Sequence, residues 1–368
     1  MTELAAAATG SALREGPALL TVDDLRVDFG SREDPIRVVD GATLTMKGGE
    51  TRALVGESGS GKTVTALAVM GLLPRGHASV SGGRIEFEGR RLDQASQSEM
   101  RDLRGRDIAM IFQEPMTSLN PAFTVGNQIA EMVRRHTGMG RRAAWNRAVE
   151  MLDMVGMPAA AQRAKEYPHS FSGGMRQRVM IAMAISCEPK LLIADEPTTA
   201  LDVTIQASIL ELLRSLQERM GMAVLLVTHD LGIVADFCDD VTVMYAGQTV
   251  EAGTARKLFY TPQHPYTAGL LAAIPQSSQI GQDLLIVPGV VPRPEAMPSG
   301  CRFHPRCPHH RPGLCDTVPT VLEDVRPNHA SRCIRVQQGD LTDPSSGLSL
   351  TSAATSNPVL ADDKKEMP

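Results

Sequence analysis

The chain has 368 residues, enough for one large domain and a smaller one with ample core. Its 42% hydrophobic and 21% charged residues match ordinary soluble globular proteins, and the net charge of −5 without a dense Lys/Arg tract gives a nucleic-acid partner no compositional support. The longest apolar run, Val179 to Cys187, falls well short of the ~18 residues a bilayer span needs. Glu3, Arg14 and Glu15 interrupt the Ala-rich start, which lacks a basic segment followed by an apolar block and so does not read as a secretory signal. A cytosolic chain is expected, in which the six cysteines do not form structural disulfides.

Residues 1–17 read as a loose tail. Strand patterns follow at Leu20–Phe29 and Val38–Met46, then at Ala53–Val55. Val64 to Leu72 has helical spacing. Gly82-Gly83 is expected to open another strand through Ile85 and Phe87, and Ile108–Phe112 is a short buried-strand candidate. From Val125 to Ile185 Met, Ala and Leu recur at three- and four-residue spacings, which predicts a helical insert. Strands return at Leu191–Ala194 and Val224–Val227 around a helix over Val203–Met220. A last pair, Val241–Tyr245 and Gln248–Glu251, turns through Ala246-Gly247. This alternation predicts an α/β fold, a mostly parallel sheet covered on both faces. No internal repeat is visible, so one nucleotide-binding unit is expected. Beyond Gly339 the chain is rich in Ser, Thr, Asp and Pro and reads as a disordered tail.

Gly56-Glu57-Ser58-Gly59-Ser60-Gly61-Lys62-Thr63 fits the phosphate-cradling template G-x-x-x-x-G-K-[ST] without mismatch, between a predicted strand and a predicted helix. A Gly/Ser-rich surface turn is the bland alternative, but it does not need both flanking elements. Glycines let successive N–H groups face phosphate oxygens, and the helix adds its positive end. Lys62 would reach the β/γ-phosphates of ATP and Thr63 would ligate Mg²⁺. Leu191-Leu192-Ile193-Ala194-Asp195-Glu196 is an apolar strand ending in two acids. Asp195 is positioned to hold Mg²⁺ opposite Thr63, and Glu196 to orient or deprotonate the attacking water.

At Ser172-Gly173-Gly174-Met175-Arg176-Gln177-Arg178 the chain resembles an ABC transporter nucleotide-binding subunit. That family's signature is usually Leu-Ser-Gly-Gly-Gln; here Phe171 and Met175 replace its ends, and Met175 lacks the glutamine's donor. The resemblance covers about residues 18–262 and implies a RecA-like core with a helical subdomain at about 113–187. It implies a Q-loop role for Gln113, sensing Mg²⁺ and the γ-phosphate. Thr199-Ala200-Leu201-Asp202 matches the D-loop that touches the partner subunit, and His229 the switch histidine. Phe29 matches the aromatic that stacks on adenine, with an ordinary apolar strand residue as the alternative. Two such subunits would sandwich two ATP molecules, with Ser172, Gly173, Gly174, Met175 and Asp202 acting on the partner's nucleotide.

Gln113-Glu114-Pro115-Met116-Thr117-Ser118-Leu119-Asn120-Pro121, Tyr167-Pro168-His169-Ser170-Phe171, His264-Pro265-Tyr266-Thr267 and Gly300-Cys301-Arg302-Phe303-His304-Pro305-Arg306-Cys307-Pro308 are similar to the D-type ATPase of bacterial oligopeptide/dipeptide importers. The similarity continues through a Cys-rich C-terminal extension, 263–338. It implies a second ATPase subunit, two transmembrane permeases, an extracytoplasmic peptide-binding protein and a place at the cytoplasmic face of the membrane. A nickel or glutathione importer would use the same engine. A soluble ABC ATPase of ribosomes or DNA would be expected to carry a second nucleotide domain, a coiled coil or a zinc module, which this sequence lacks.

Five, seven and seventeen residues separate Cys301, Cys307, Cys315 and Cys333. Four thiolates suit zinc or an iron–sulfur cluster, and unligated thiols remain open. The gaps exceed those of the tight pairs common in zinc sites. The family resemblance implies a [4Fe–4S] cluster. His304, His309, His310 and His329 lie nearby as substitute ligands, whereas Cys187 and Cys238 read as small core hydrophobes.

Overall fold

The computed structural model describes residues 16–31, 33–113, 118–199, 201–274 and 287–346. Two long strands come first, β1 (Ala18–Gly30) and β2 (Pro35–Lys47), followed by β3 (Thr51–Val55). The helix Lys62–Val69 leads to β4 (Ala78–Phe87) and the two-residue β5 (Arg90–Arg91). After β6 (Ile108–Ile111) the chain is helical over Val125–Thr137, Arg141–Met154, Ala160–Arg163 and Gly173–Ile185. Then come β7 (Leu191–Asp195), the helix Val203–Met220, β8 (Ala223–Thr228), β9 (Asp240–Tyr245) and β10 (Gln248–Thr254). The chain closes with β11 (Glu323–Arg326) and β12 (His329–Ser331).

The expected parallel sheet is present as the run β9-β3-β8-β7-β6, within an eight-stranded sheet ordered β11-β12-β10-β9-β3-β8-β7-β6. Its central strands carry continuous apolar runs, Ala53–Val55, Leu191–Ala194 and Ala223–Val227, because both faces are covered. In β3, Ala53 and Val55 face one core while Leu54 faces the other; in β7, Leu192 and Ala194 oppose Leu191 and Ile193. One face packs under the helical insert, through Val133, Ala148, Met151 and Ile181. The other packs under the helix Lys62–Val69 and a second sheet.

That second sheet, antiparallel with order β2-β1-β4-β5, corrects the expectation of one mostly parallel sheet. β4 also begins at Ala78, not at Gly82. Gly82-Gly83 lies mid-strand, where the β1–β4 register shifts and a Cβ on Gly83 would sit 2.3 Å from the Asp24 carbonyl oxygen. The glycine pair marks a bulge instead of a start.

The β9–β10 hairpin turns as expected, with Ala246 at φ 47 and Gly247 at φ 82, the two positive angles such a tight turn needs. On its far edge, Gly253 of β10 pairs with His329 of β12. The C-terminal extension therefore prolongs the main sheet. Residues 1–15 and 347–368 lie outside those described. Within 339–346, Leu341 and Pro344 are buried and the other residues are exposed.

Candidate functional site

Strand register gathers the site. Val55 pairs with Thr228, Asp195 with Val227 and Ile111 with Ala194. The residues just beyond these pairs therefore emerge together at the carboxyl ends of the parallel strands, where open α/β sheets bind ligands.

The phosphate loop follows β3. Gly56 has φ 153, and a Cβ there would lie 2.2 Å from the Met244 carbonyl oxygen and 2.8 Å from Ser60 Oγ. Gly59 and Gly61 also take positive φ, and Gly61 caps the helix Lys62–Val69. The Ser60 N–H donates to the Glu57 carbonyl and the Gly247 N–H to the Ser60 carbonyl, while the buried Ser60 hydroxyl has no protein partner. Lys62 Nζ donates to the Gly56 and Glu57 carbonyls at 2.8 and 3.0 Å. Burial holds its pKa below the usual lysine value, against the opposing pull of Glu196, Asp195 and Glu57. Ser58 lies in the same loop.

At the tip of β7, Asp195 is buried and its Oδ1 accepts from the Thr63 hydroxyl at 3.3 Å. Desolvation pushes its pKa up to about 6, although the Thr63 hydrogen bond works the other way. A buried carboxylate beside a hydroxyl is a fitting donor pair for a divalent cation. Glu196 sits at φ 46, an uncommon left-handed conformation for a non-glycine residue. Its Oε2 accepts from Gln113 Nε2 and Thr199 Oγ1, each at 2.9 Å, and its Oε1 faces His229 Nδ1 at 3.0 Å. Burial raises the Glu196 pKa, but bonding to His229 and Thr199 prevails and holds it below the ordinary value. Gln113, Glu196 and His229 thus form one hydrogen-bonded set, to which Thr199 adds a hydroxyl that the sequence had placed only within the D-loop.

Ser172 and Gly173 are exposed at the start of the helix Gly173–Ile185, where Ser172 Oγ accepts from the Met175 N–H. Met175 packs against the core, so the apolar side chain is accommodated where a glutamine is usual. Gly174 lies against Ile205, where a Cβ would come within 2.9 Å of Cγ2. Asp202, also exposed, caps the helix Val203–Met220 by accepting from the Ile205 N–H. Phe29 is half-buried, two residues beyond Val27, whose β2 partner Val39 lies against Gly61. Ala200 and Glu114–Thr117 of the matched segments fall outside the described residues.

Comparison with known proteins agrees with this arrangement. A family model described as ABC transporter matches residues 39–199, and one described as Oligopeptide/dipeptide transporter, C-terminal region, matches 250–315. The oligopeptide transport ATP-binding protein OppD of Salmonella typhimurium is 50% identical over 317 residues, 86% of this chain and 93% of the relative. The dipeptide transport ATP-binding protein DppD of Escherichia coli is 52% identical over 316 residues, covering 86% and 96%. This chain belongs to the ATP-binding subunits of oligopeptide/dipeptide ABC transporters. It is an ATPase. Among solved structures, the ATP-binding cassette MJ0796, a dimer bound to ADP and Pi, aligns with TM-score 0.57 and 26% identity over 64% of this chain and 99% of its own. CbiO1 from Clostridium perfringens gives the same score at 27% identity, over 67% and 92%.

In this ABC ATPase the four C-terminal cysteines line one small cavity with His264, Phe303, His304, His309 and Arg335. Nearby backbone N–H groups work against the rise in thiol pKa: those of Phe303 and His304 at Cys301, that of His309 at Cys307, and those of Val336 and Arg335 at Cys333. Burial and mutual repulsion push the thiols of Cys301 and Cys307 up to about 11 and 12. Among the described residues, no group of three or more His, Cys, Asp or Glu is arranged to hold a metal ion. Cys238 is buried and Cys187 half-buried, away from that cavity.

Proposed function

We propose that this subunit binds and hydrolyses ATP at the carboxyl edge of its parallel sheet to drive import of oligopeptides or dipeptides through a bacterial cytoplasmic membrane. The observation carrying the site is the set of hydrogen bonds on Glu196 from Gln113, Thr199 and His229 beside the Thr63–Asp195 pair. Named relatives at about half identity supply the peptide substrate class.

Lys62 and the loop N–H groups oppose the charge of the transferring phosphoryl, largely by positioning and electrostatics. Thr63, Asp195 and Gln113 would hold Mg²⁺. The ion, when bound, neutralises developing charge on the phosphate oxygens. Glu196, kept ionised by its donors, orients the attacking water and takes its proton. His229 fixes the Glu196 carboxylate and meets the γ-phosphate, and Phe29 stacks on adenine.

The Ser172-Gly173-Gly174 helix start, exposed at Ser172 and Gly173, and Asp202 serve the ATP of a second ATPase subunit, in line with the dimeric neighbour. Met70, Leu72, Gly105, Phe112, Met132 and Met183 line a groove of about 510 Å³ that adjoins Gln113 through Phe112. An apolar segment of the permease seats there, which leaves the subunit peripheral at the cytoplasmic face; no described helix is long and apolar enough to cross a membrane. Residues 18–262 form the nucleotide-binding unit and 263–338 the extension.

Cys301, Cys307, Cys315 and Cys333, which line one cavity, would hold a [4Fe–4S] cluster, with zinc the rival. Nearby backbone N–H groups favour the thiolate form, and thiols raised by burial ionise readily only when a metal takes their charge.

Glu196→Gln tests the site. It is expected to keep ATP binding, cut hydrolysis by about 10²–10⁴-fold and accumulate the closed, ATP-bound pair. Near-normal turnover in the purified complex would remove Glu196 from the reaction.

A further inference from the structure

We infer that Arg306 is a positioning residue for the phosphate loop, so that the nucleotide-ready shape of residues 56–62 depends on the cysteine-bearing segment. The inference rests on the ATP-site reading above and adds to it a contact spanning 249 positions of sequence.

Glu57, the second residue of the loop, is gripped twice by the extension. Its backbone N–H donates to Tyr266 Oη at 2.9 Å, and its two carboxylate oxygens accept from Arg306 Nη1 at 3.1 and 3.2 Å. Arg306 is itself fully engaged. Its Nε donates to the Pro288 carbonyl and its Nη2 to the Val287 carbonyl, and the guanidinium lies over the Tyr245 ring at 5.6 Å. The Arg306 side chain is 5% exposed and Tyr266 is fully buried, while the Glu57 carboxylate is 30% exposed, so the charge-assisted contact is only partly shielded from water.

Glu57 lies one hydrogen bond from Lys62. The Glu57 carbonyl accepts from Lys62 Nζ and from the Ser60 N–H. Moving Glu57 therefore moves the anchor of the lysine that meets the phosphates. A second tether runs in parallel: Arg302 Nη1 donates to the Ala246 carbonyl, and the next N–H, of Gly247, donates to the Ser60 carbonyl.

Sequence position ties both tethers to the thiols. Arg302 follows Cys301 and Arg306 precedes Cys307. Whatever fixes Cys301 and Cys307 also fixes the two arginines that hold the loop.

The test is a double-mutant cycle on the full-length chain, read as the Kd of a fluorescent ATP analogue with Mg²⁺. Arg306→Ala is expected to raise Kd about ten-fold, within the range for directly coupled neighbours. Glu57→Gln on that background should add nothing further. In the assembled transporter, Arg306→Ala should raise KM for ATP with kcat within about two-fold, a split that general destabilisation does not produce. Arg306→Lys should recover part of the affinity, since it keeps the charge on Glu57 but cannot serve Val287 and Pro288 as well. An unchanged Kd in Arg306→Ala, or independent multiplication of the two effects, overturns the proposal. Should Arg306→Ala fail to fold, Tyr266→Phe removes the hydroxyl through which the extension meets Glu57, and an unchanged Kd there overturns it equally. Lys62→Ala separates the two readings: normal binding by that variant sinks the ATP site itself, whereas lost binding beside a normal Arg306→Ala sinks only the tether.

Discussion

The two ends of the chain reach the same loop by opposite means. The parallel-strand edge brings Gly56, Asp195, Glu196 and His229 together through backbone register, so each lies within two residues of a strand tip. The C-terminal extension reaches Glu57 through side chains alone, Arg306 and Tyr266, held by aromatic and carbonyl neighbours. Chemistry fixed by register leaves a local pattern in the sequence. Chemistry delivered by a long side chain leaves none.

The largest effect should come where backbone geometry is least forgiving. Gly56→Ala sets a Cβ 2.2 Å from a backbone carbonyl, at a φ few other residues adopt. Nucleotide affinity should fall by about 100-fold or more. Gly59→Ala, also at positive φ but with open space around its Cβ, should cost only about five-fold. Equal losses in the two variants, read by titration with nucleotide, would mean that helical strain and not close approach governs the loop.

Ser172→Arg comes next and tests the edge that faces a partner. Ser172 is exposed and caps its helix through Met175. Binding of ATP by the isolated subunit should stay near normal while hydrolysis by the assembled complex falls at least ten-fold. Failure of binding in the isolated subunit would break the assignment of this segment to the neighbour's nucleotide.

Why one region was legible and the other was not follows from these contacts. The strands β3, β7 and β8 read correctly because continuous apolar runs ending in Gly, Asp-Glu and His require burial on both faces. The helix Val203–Met220 read correctly to the residue, bounded by Asp202 as a cap and by Gly221 in the left-handed conformation. The strands of the antiparallel sheet were read from their alternation, but their pairing into a sheet of their own was not, because alternation marks a strand without naming its partner. The helix Gln97–Leu103 was missed although Ser96 and Glu99 spell its capping box, a signal available in the sequence. Tyr266 was noted within a family segment, but nothing near it in sequence indicates a bond to Glu57.

Smaller effects belong to the cysteines. Cys301→Ser, Cys307→Ser, Cys315→Ser and Cys333→Ser should each deplete iron from anaerobically purified protein, brown with about four irons per chain in the wild type. Cys187→Ser and Cys238→Ser should not. Because Cys307 adjoins Arg306, its loss should weaken nucleotide binding by no more than Arg306→Ala does. Stoichiometric zinc without iron would replace the cluster by a zinc module and leave the tether untouched.

The finest contrast concerns His264, which lines the cysteine cavity and caps the helix Pro265–Ala272 by accepting from the Tyr266 N–H. Burial, with a smaller contribution from the Arg332 guanidinium, lowers its pKa to about 3. In the unfolded chain the same ring titrates near 6.5. A folded pKa below the unfolded one means that protons favour the unfolded state, so the stability is fully present above pH 6.5 and is lost as pH falls towards 3. One such group changes the unfolding free energy by up to about 1.4 kcal/mol per pH unit, or about 2 kcal/mol between pH 6.5 and 5. His264→Asn keeps an oxygen for the cap but does not titrate. Its denaturation midpoints should therefore vary less steeply with pH than those of the wild type across this window, whatever the absolute change in stability. Parallel pH profiles would mean that His264 takes up a proton without unfolding the extension, and the region around the cysteines would then be looser than the phosphate-loop edge it holds.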